Sequence, residues 1–501
     1  MTRTEHVDVL VVGAGLSGVA AGYYLQTLAP DRSYTILEAR QTMGGTWDLF
    51  RYPGIRSDSD MYTLGYSFRP WRADRAIVDG ASILQYIKDT AAEYDIERKI
   101  RYGHRVVSAA WSSADALWTL QVQLADTGER ITFTTRFVIS CAGYYDFDRA
   151  HTPDFPGRDD FEGQVAHPQF WRDDIDYDGK RIVVIGSGAT AVSLVPALAE
   201  KAAKVTMLQR SPGYTITMPT RNRLLTRLRD RLPEDTGPTV LRWIGVLATM
   251  GIYYYCRAFP RRARARLMNR VRAQLPSDFD VDVHFNPRYD PWDQRLCLVP
   301  HGDLFRAIRT GKAEVVTDHV ERFTRDGILL RSGARLPADL IVTATGLELR
   351  MFGGIEATVD GRVIHPGEAV CYRGSMFSDV PNFAMVLGYT KASWTLKCEL
   401  VLRYVMRLLS YMDERGYQSV VPEQNDPTLV RTPLIDMESG YFVRARDWMP
   451  KTGSREPWKF YQNYLRDRRL IGRAPLDDGT LVFRRVARAG QPGASVSQGA
   501  A

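Results

Sequence analysis

Two stretches of the chain repeat one arrangement of hydrophobic and polar positions. Val7–Val12 is an apolar run of strand length, glycines follow it, Val19–Thr27 carries helical spacing, and Tyr34–Leu37 is a second apolar run. The same order returns at Arg181–Ile185, Gly186–Gly188, Ala191–Lys201 and Val205–Leu208. Short apolar runs without alternation fit strands buried on both faces of a parallel sheet, so each stretch reads as the opening of a βαβ unit. An α/β fold with two dinucleotide-binding, Rossmann-like domains is predicted.

Between the two units, Trp118–Val122 and Ile131–Thr135 read as antiparallel strands and Phe137–Ser140 as a buried one. Further strands are expected at Glu314–Val316, Ile328–Leu330 and Leu340–Thr343, and a helix over Trp394–Met412. The predicted division places the first part of the first domain at 1–150 and a linker at 151–178. The second domain takes 179–335, with an arginine-rich helical insert at about 221–285, and the chain returns to the first domain over 336–486. The small, polar stretch 487–501 is expected to be a disordered tail.

Composition narrows the class. With 501 residues, 45% apolar and 25% charged, the chain is long enough for more than one core and close to an average soluble protein. A net charge of +8 is modest for this length, so nucleic acid is not an expected partner. Five cysteines without a CxxC pair suggest neither a disulfide framework nor a metal site. Met1–Asp8 runs directly into a strand pattern, leaving no room for a signal-peptide apolar region, so a cytoplasmic protein is expected. The apolar run Trp243–Cys256 is too short to span a bilayer. Arginines 257, 261, 262, 264, 266, 270 and 272 follow it, which gives two readings: a buried helix followed by a solvated one, or peripheral contact with the inner membrane surface.

The glycine turns carry the chemistry. Gly13, Gly15 and Gly18 follow a strand and open a helix, with Ser17 in the turn, so backbone amides can face a pyrophosphate. Glu38 ends the next strand, where a carboxylate accepts the ribose hydroxyls of an adenosine. In the second unit, Gly186, Ser187, Gly188, Ala189, Thr190 and Ala191 repeat the frame, with alanine where the third glycine would stand. Arg210 and Ser211 take the place of the acid, which suits the 2′-phosphate of NADPH and would repel nothing anionic. One dinucleotide held through an acid and another through a base reads as FAD reduced by NADPH; the redox cysteine pair of a disulfide reductase is absent.

Three further motifs bear a resemblance. Gly44-Gly45-Thr46-Trp47 precedes Tyr52-Pro53-Gly54-Ile55-Arg56-Ser57-Asp58; Phe161, Gly163, His167 and Trp171 form FxGxxxHxxxW; and Ala344-Thr345-Gly346 ends a strand. Together they resemble the Baeyer–Villiger monooxygenases, which are class B flavoprotein monooxygenases. Arg172 stands where that fingerprint has proline, a departure toward the flavin-containing S- and N-monooxygenases.

The resemblance implies an NADPH- and O2-consuming enzyme that turns ketones into esters or lactones through a C4a-peroxyflavin, with thioethers or thioamides as further substrates. It implies a flavin site including Gly45, Thr46, Trp47, Asp48, Leu49, Ser57, Asp58 and Val106. Arg295 is implied as the fixed cation beside the reacting oxygen, Asp58 as its charge-assisted partner, and Arg56 as a contact to the nicotinamide cofactor. Many relatives carry a lysine just before that arginine; this chain has Gln294. His167 is implied as a structural residue of the linker. A heteroatom oxygenase, an electron-passing flavoprotein reductase and a membrane-recruited scaffold remain alternatives, and oligomeric state is left open.

Overall fold

The structure, a computed structural model, describes residues 4–486; the tail expected at 487–501 lies outside them. The first repeated unit folds as strand Thr4–Val12, helix Leu16–Leu28 and strand Tyr34–Leu37. The two strands pair in parallel, Val9 opposite Tyr34, and Val9, Leu10 and Val11 are fully buried because both faces are covered: Val9 and Val11 pack with helix Leu16–Leu28, and Leu10 belongs to a cluster with strand residues such as Trp118 and Phe133. Arg130–Ser140, read as two strands from sequence, is one continuous strand alongside Thr4–Val12. Its first half also pairs antiparallel with Leu117–Leu124, which pairs in turn with His104–Ser112. Ile100–Arg101, Glu356–Val359, Arg362–Val363 and Phe383–Met385 complete a nine-stranded sheet, so the chain comes back to its first core after the second unit.

The second unit is a five-stranded parallel sheet in the order Ala313–Thr317, Lys204–Gln209, Arg181–Ile185, Leu340–Thr343, Gln164–Ala166. Gln164–Ala166, from the fingerprint segment, is its edge, and Leu340–Thr343 belongs to this sheet before the chain leaves it. Helix Ala189–Leu198 follows the second glycine turn.

Two joints connect the units. Gly54, at φ +80°, lies so close to helix Ala189–Leu198 that a Cβ would meet the Ser193 carbonyl oxygen at 2.4 Å, and Tyr52 is buried in the second unit's core. In the linker, the buried Gln169 side chain donates to the backbone carbonyls of Asp146 (2.9 Å), Arg149 (3.2 Å) and Phe147 (3.3 Å). Two N–H donors shared among three carbonyls fix the linker against the first unit.

The insert contains helices Arg223–Arg231, Gly237–Ala258, Pro260–Arg272 and Val281–His284. The structure corrects the first reading of the apolar run. Its helix is not buried: Leu247 is 55% exposed and Ile252 38%, while Leu241, Val246 and Cys256 face inward. Among the described residues no helix is long and apolar enough to cross a membrane.

Candidate active site

A cavity of about 460 Å3 opens where the first glycine turn, the Gly44–Asp58 window and the Arg295 loop meet. Gly13, Gly15, Ser17, Glu38, Gly45, Thr46, Trp47, Leu49, Arg56, Ser57, Asp58, Val106 and Arg295 all line it, so residues far apart in sequence share one space. Gly13 holds φ +97°, and a side chain there would meet the Cys141 carbonyl oxygen at 2.9 Å. Gly45, at φ +55°, faces Gly15 so closely that a Cβ would sit 3.1 Å from the Gly15 Cα. These glycines leave backbone as the wall of a cradle that side chains would fill. The helix from Leu16 begins at Gly15 with no side-chain cap, so its first amides and its positive dipole end are free to meet an anion.

Glu38 is buried, and its oxygens accept Ala14 N–H (2.7 Å) and Arg40 N–H (3.0 Å). Burial pushes its carboxyl above the ordinary value, with these hydrogen bonds opposing the shift. Each carboxylate oxygen has a second lone pair available to a ribose hydroxyl. Cradle, uncapped helix and anchored acid together fit an FAD: the glycine turn would hold its pyrophosphate and Glu38 its ribose.

Two of the expected residues sit behind the wall instead of on it. Gly18 is a packing glycine, since a Cβ would come within 1.9 Å of the Gly13 carbonyl oxygen. Asp48 is buried between Arg40 (2.7 Å) and Arg51 (3.2 Å), bracing the turn from beneath.

Arg295 reaches the cavity with one hydrogen bond, from Nε to the Thr390 carbonyl oxygen at 3.3 Å. The direct pair expected with Asp58 does not form; among the described residues no carboxylate lies within ion-pair distance of this guanidinium. Burial works against its charge, but the surrounding phenols of Tyr441, Tyr145 and Tyr144 and the Asp58 carboxylate outweigh it, raising the pKa. Arg295 is held by a backbone carbonyl instead, while Asp58 lines the same cavity. Burial raises the Asp58 carboxyl despite the opposing fields of Arg295 and Arg56. Asp58 is exposed only to the cavity, enclosed by protein beyond it. Arg56 is likewise engaged elsewhere, with Asp303 at 2.5 Å and the Leu298 carbonyl oxygen at 3.3 Å, although it still lines the cavity.

The second glycine turn is built like the first. Gly186 holds φ +142° with a would-be Cβ 2.3 Å from the Ala344 carbonyl oxygen, and helix Ala189–Leu198 starts at Gly188 without a side-chain cap. Ala189 and Thr190 reach the main cavity; Gly186, Ser187, Gly188 and Ala191 do not. Ser187 Oγ donates to the Ser211 carbonyl oxygen at 2.9 Å, placing exposed Arg210 and Ser211 beside the turn, as a 2′-phosphate would require.

The fingerprint residues lie outside the cavity. Phe161 and Trp171 are buried, and Gly163 is confined by the Phe161 ring, 2.4 Å from a would-be Cβ. His167 Nδ1 accepts Gln169 N–H at 3.1 Å, which puts the ring proton on the buried Nε2.

Sequence reading missed the aromatic walls of the cavity, two from the end of the first segment and two from the return segment. Tyr144, Tyr145, Tyr389 and Trp394 line it, and Trp394 Nε1 donates to Ser17 Oγ at 2.9 Å. Nothing in the spacing of these aromatics marks them.

Comparison with known proteins agrees with this geometry. Residues 7–223 match the family model described as flavin-binding monooxygenase-like. The chain is 54% identical to the FAD-containing monooxygenase EthA of Mycobacterium tuberculosis, covering 96% of this chain and 98% of that one. It is 49% identical to EthA of Mycolicibacterium smegmatis, covering 96% and 97%. A solved steroid monooxygenase bound to NADP superposes with a TM-score of 0.76 at 23% identity, over 96% of this chain and 100% of that one. An open cyclohexanone monooxygenase gives 0.71 at 22%, over 84% and 90%. At these identities the solved structures speak to the fold, which is that of two-dinucleotide-domain flavin monooxygenases.

Burial holds the His167 imidazole down to about 4, below its ordinary 6.5. A histidine depressed by folding contributes stability that is full above its unfolded value and lost as pH falls toward its folded value. His167→Gln should therefore lessen the loss of stability between pH 6.5 and about 4, measured by urea unfolding at both ends. Equal losses in variant and wild type would mean that the imidazole is not held neutral by burial.

Proposed function

The chain belongs to the flavin-binding monooxygenase-like family, and on that premise we propose that it is an FAD-dependent, NADPH-consuming monooxygenase whose first substrates are ketones, converted to esters or lactones. In the balance, NADPH and a proton supply two electrons, one oxygen atom of O2 enters the substrate, and the other leaves as water. The observation that carries the reading is Arg295: a permanent cation, without a carboxylate partner among the described residues, in the cavity that the first glycine turn opens.

Bound FAD would supply the redox chemistry, taking hydride from NADPH and activating O2. The chain's own residues do the rest. The Gly13–Gly18 turn and Glu38 bind and orient the cofactor, and the second turn with Arg210 and Ser211 receives NADPH. Arg295 stabilises negative charge that develops on oxygen when a carbonyl carbon is attacked, and its guanidinium keeps its charge at any working pH. Trp394, Tyr144 and Tyr145 exclude water from that point, which strengthens the electrostatic interaction. Thioethers and thioamides are the second substrate class: sulfur oxidation needs no developing carbonyl oxyanion, so it should depend less on Arg295.

A peripheral position on the cytoplasmic membrane face also belongs to this reading. Leu247 and Ile252 are exposed on one insert helix and Phe259 just past its end, and Arg261, Arg262 and Arg266 follow, a pairing of apolar and cationic groups suited to an anionic bilayer.

Purified protein given NADPH, labelled O2 and a ketone should release labelled ester, and a thioether should yield sulfoxide; sulfoxide without ester would favour a heteroatom oxygenase, and NADPH oxidation without labelled product a reductase. Arg295→Ala should retain FAD and its reduction by NADPH while ester formation falls by a factor on the order of 100 to 1,000. Undiminished ester formation would remove Arg295 from the chemistry. The protein should co-sediment with anionic vesicles and not with neutral ones, less so for Leu247→Asp; sedimentation with neither would rule out the membrane position.

A further inference from the structure

Arg295 stands in the segment 285–296, between helix Val281–His284 and strand Cys297–Pro300, and this segment makes a tight turn just before the guanidinium. Asp293 N–H donates to the Asp290 carbonyl oxygen at 3.1 Å, closing a four-residue turn with Pro291 and Trp292 at its centre. Trp292 holds φ +77°. Proline in the second place and a left-handed residue in the third is the pattern of a type II turn, whose third place favours glycine because a Cβ there crowds the backbone. Here that place is taken by tryptophan, so the turn forms against its local preference. A bulky residue keeps such a conformation only where its surroundings hold it.

The surroundings are one side of the insert helix Gly237–Ala258. Tyr253 and Arg257, four residues apart, share that side. The Tyr253 ring meets the Trp292 ring edge to face, 5.6 Å between centres and 80° between planes. Arg257 pairs with Asp293 Oδ1 at 2.6 Å, and Asp293 Oδ2 accepts Asp290 N–H at 3.1 Å. The Arg257 side chain is about half exposed, so water and salt screen this pair and the ring contact carries more of the hold. Trp292, Asp293 and Gln294 do not line the cavity, whereas Arg295 does. The guanidinium has one hydrogen bond of its own, from Nε to the Thr390 carbonyl oxygen at 3.3 Å, which is little to fix so flexible a side chain. Its placement is inherited from the path of the segment that carries it.

We propose that Trp292 is a positioning residue for Arg295: the indole, clamped on Tyr253, holds the turn in its left-handed form and so sets the guanidinium at the Thr390 carbonyl, inside the cavity. The proposal rests on the reading of Arg295 given above. Glycine would form the same turn without strain and without the clamp, so the two contributions of Trp292 are separable.

The test uses the FAD-loaded enzyme and its Trp292→Gly, Trp292→Phe and Tyr253→Ala variants. Crystal structures read the placement with no turnover: Arg295 Nε should stay at the Thr390 carbonyl in the wild type and Trp292→Phe, and leave it in Trp292→Gly and Tyr253→Ala. With NADPH, O2 and a ketone, ester formed per NADPH consumed should fall by a factor on the order of 10 to 100 in Trp292→Gly, the missing oxygen appearing as hydrogen peroxide. FAD content and the rate of flavin reduction by NADPH should be unchanged, and Trp292→Phe should recover most of the ester. A Trp292→Gly protein that keeps Arg295 at Thr390, that makes undiminished ester, or that loses FAD and its reduction in step with ester would overturn the proposal, the last because it marks a residue that only supports the fold. A wild type that makes no ester would overturn the reading of the reaction, and the crystal structures would still decide the positioning.

Discussion

The structure depends on keeping a full positive charge inside a cavity without neutralising it. A buried cation beside a carboxylate would spend its field on that partner, whereas one held by a neutral carbonyl keeps its field for charge that appears during a reaction. Arg295 meets this constraint through the Thr390 carbonyl and three neighbouring phenols, with Asp58 lining the same cavity but not within ion-pair distance. Other nearby arginines are engaged: Arg56 with Asp303, Arg242 with Glu399, Arg257 with Asp293.

Much of the remaining architecture holds that arginine in place. Arg257, near the end of the long insert helix, pairs with Asp293 two residues before Arg295, and Tyr253 of the same helix packs edge-on against Trp292. The insert therefore has an inner face that braces the loop carrying Arg295 and an outer face with exposed apolar side chains. Gly54 packs on the second unit's helix and Gln169 ties the linker to the first, so contacts made across the two nucleotide units hold the cavity's parts together. His167, held neutral by burial, sits beside Gln169 in this linker and does not line the cavity.

Burial also explains why the five cysteines are inert companions of the core. All are free and buried, and burial raises the thiols of Cys141, Cys297, Cys371 and Cys398, so none is poised as a thiolate. That agrees with electron transfer assigned to a bound flavin.

The two βαβ openings were legible in the sequence because local rules govern them. A strand buried on both faces must be apolar throughout, and a backbone that approaches a phosphate must be glycine; Gly13, Gly186 and Glu38 follow from those rules alone. Arg295 was legible only through resemblance, and its partner was not: whether a guanidinium meets a carboxylate or a carbonyl is settled by where two distant loops stop, and Thr390 is 95 residues away. The exposure of Leu247, the walls formed by Trp394 and Tyr144, and the contact of Trp292 with Tyr253 are likewise products of packing between remote segments. Sequence determined which residues could bind a dinucleotide or carry a charge. Tertiary structure decided which of those charges remained unpaired, because pairing depends on distances of a few ångströms that no local pattern encodes.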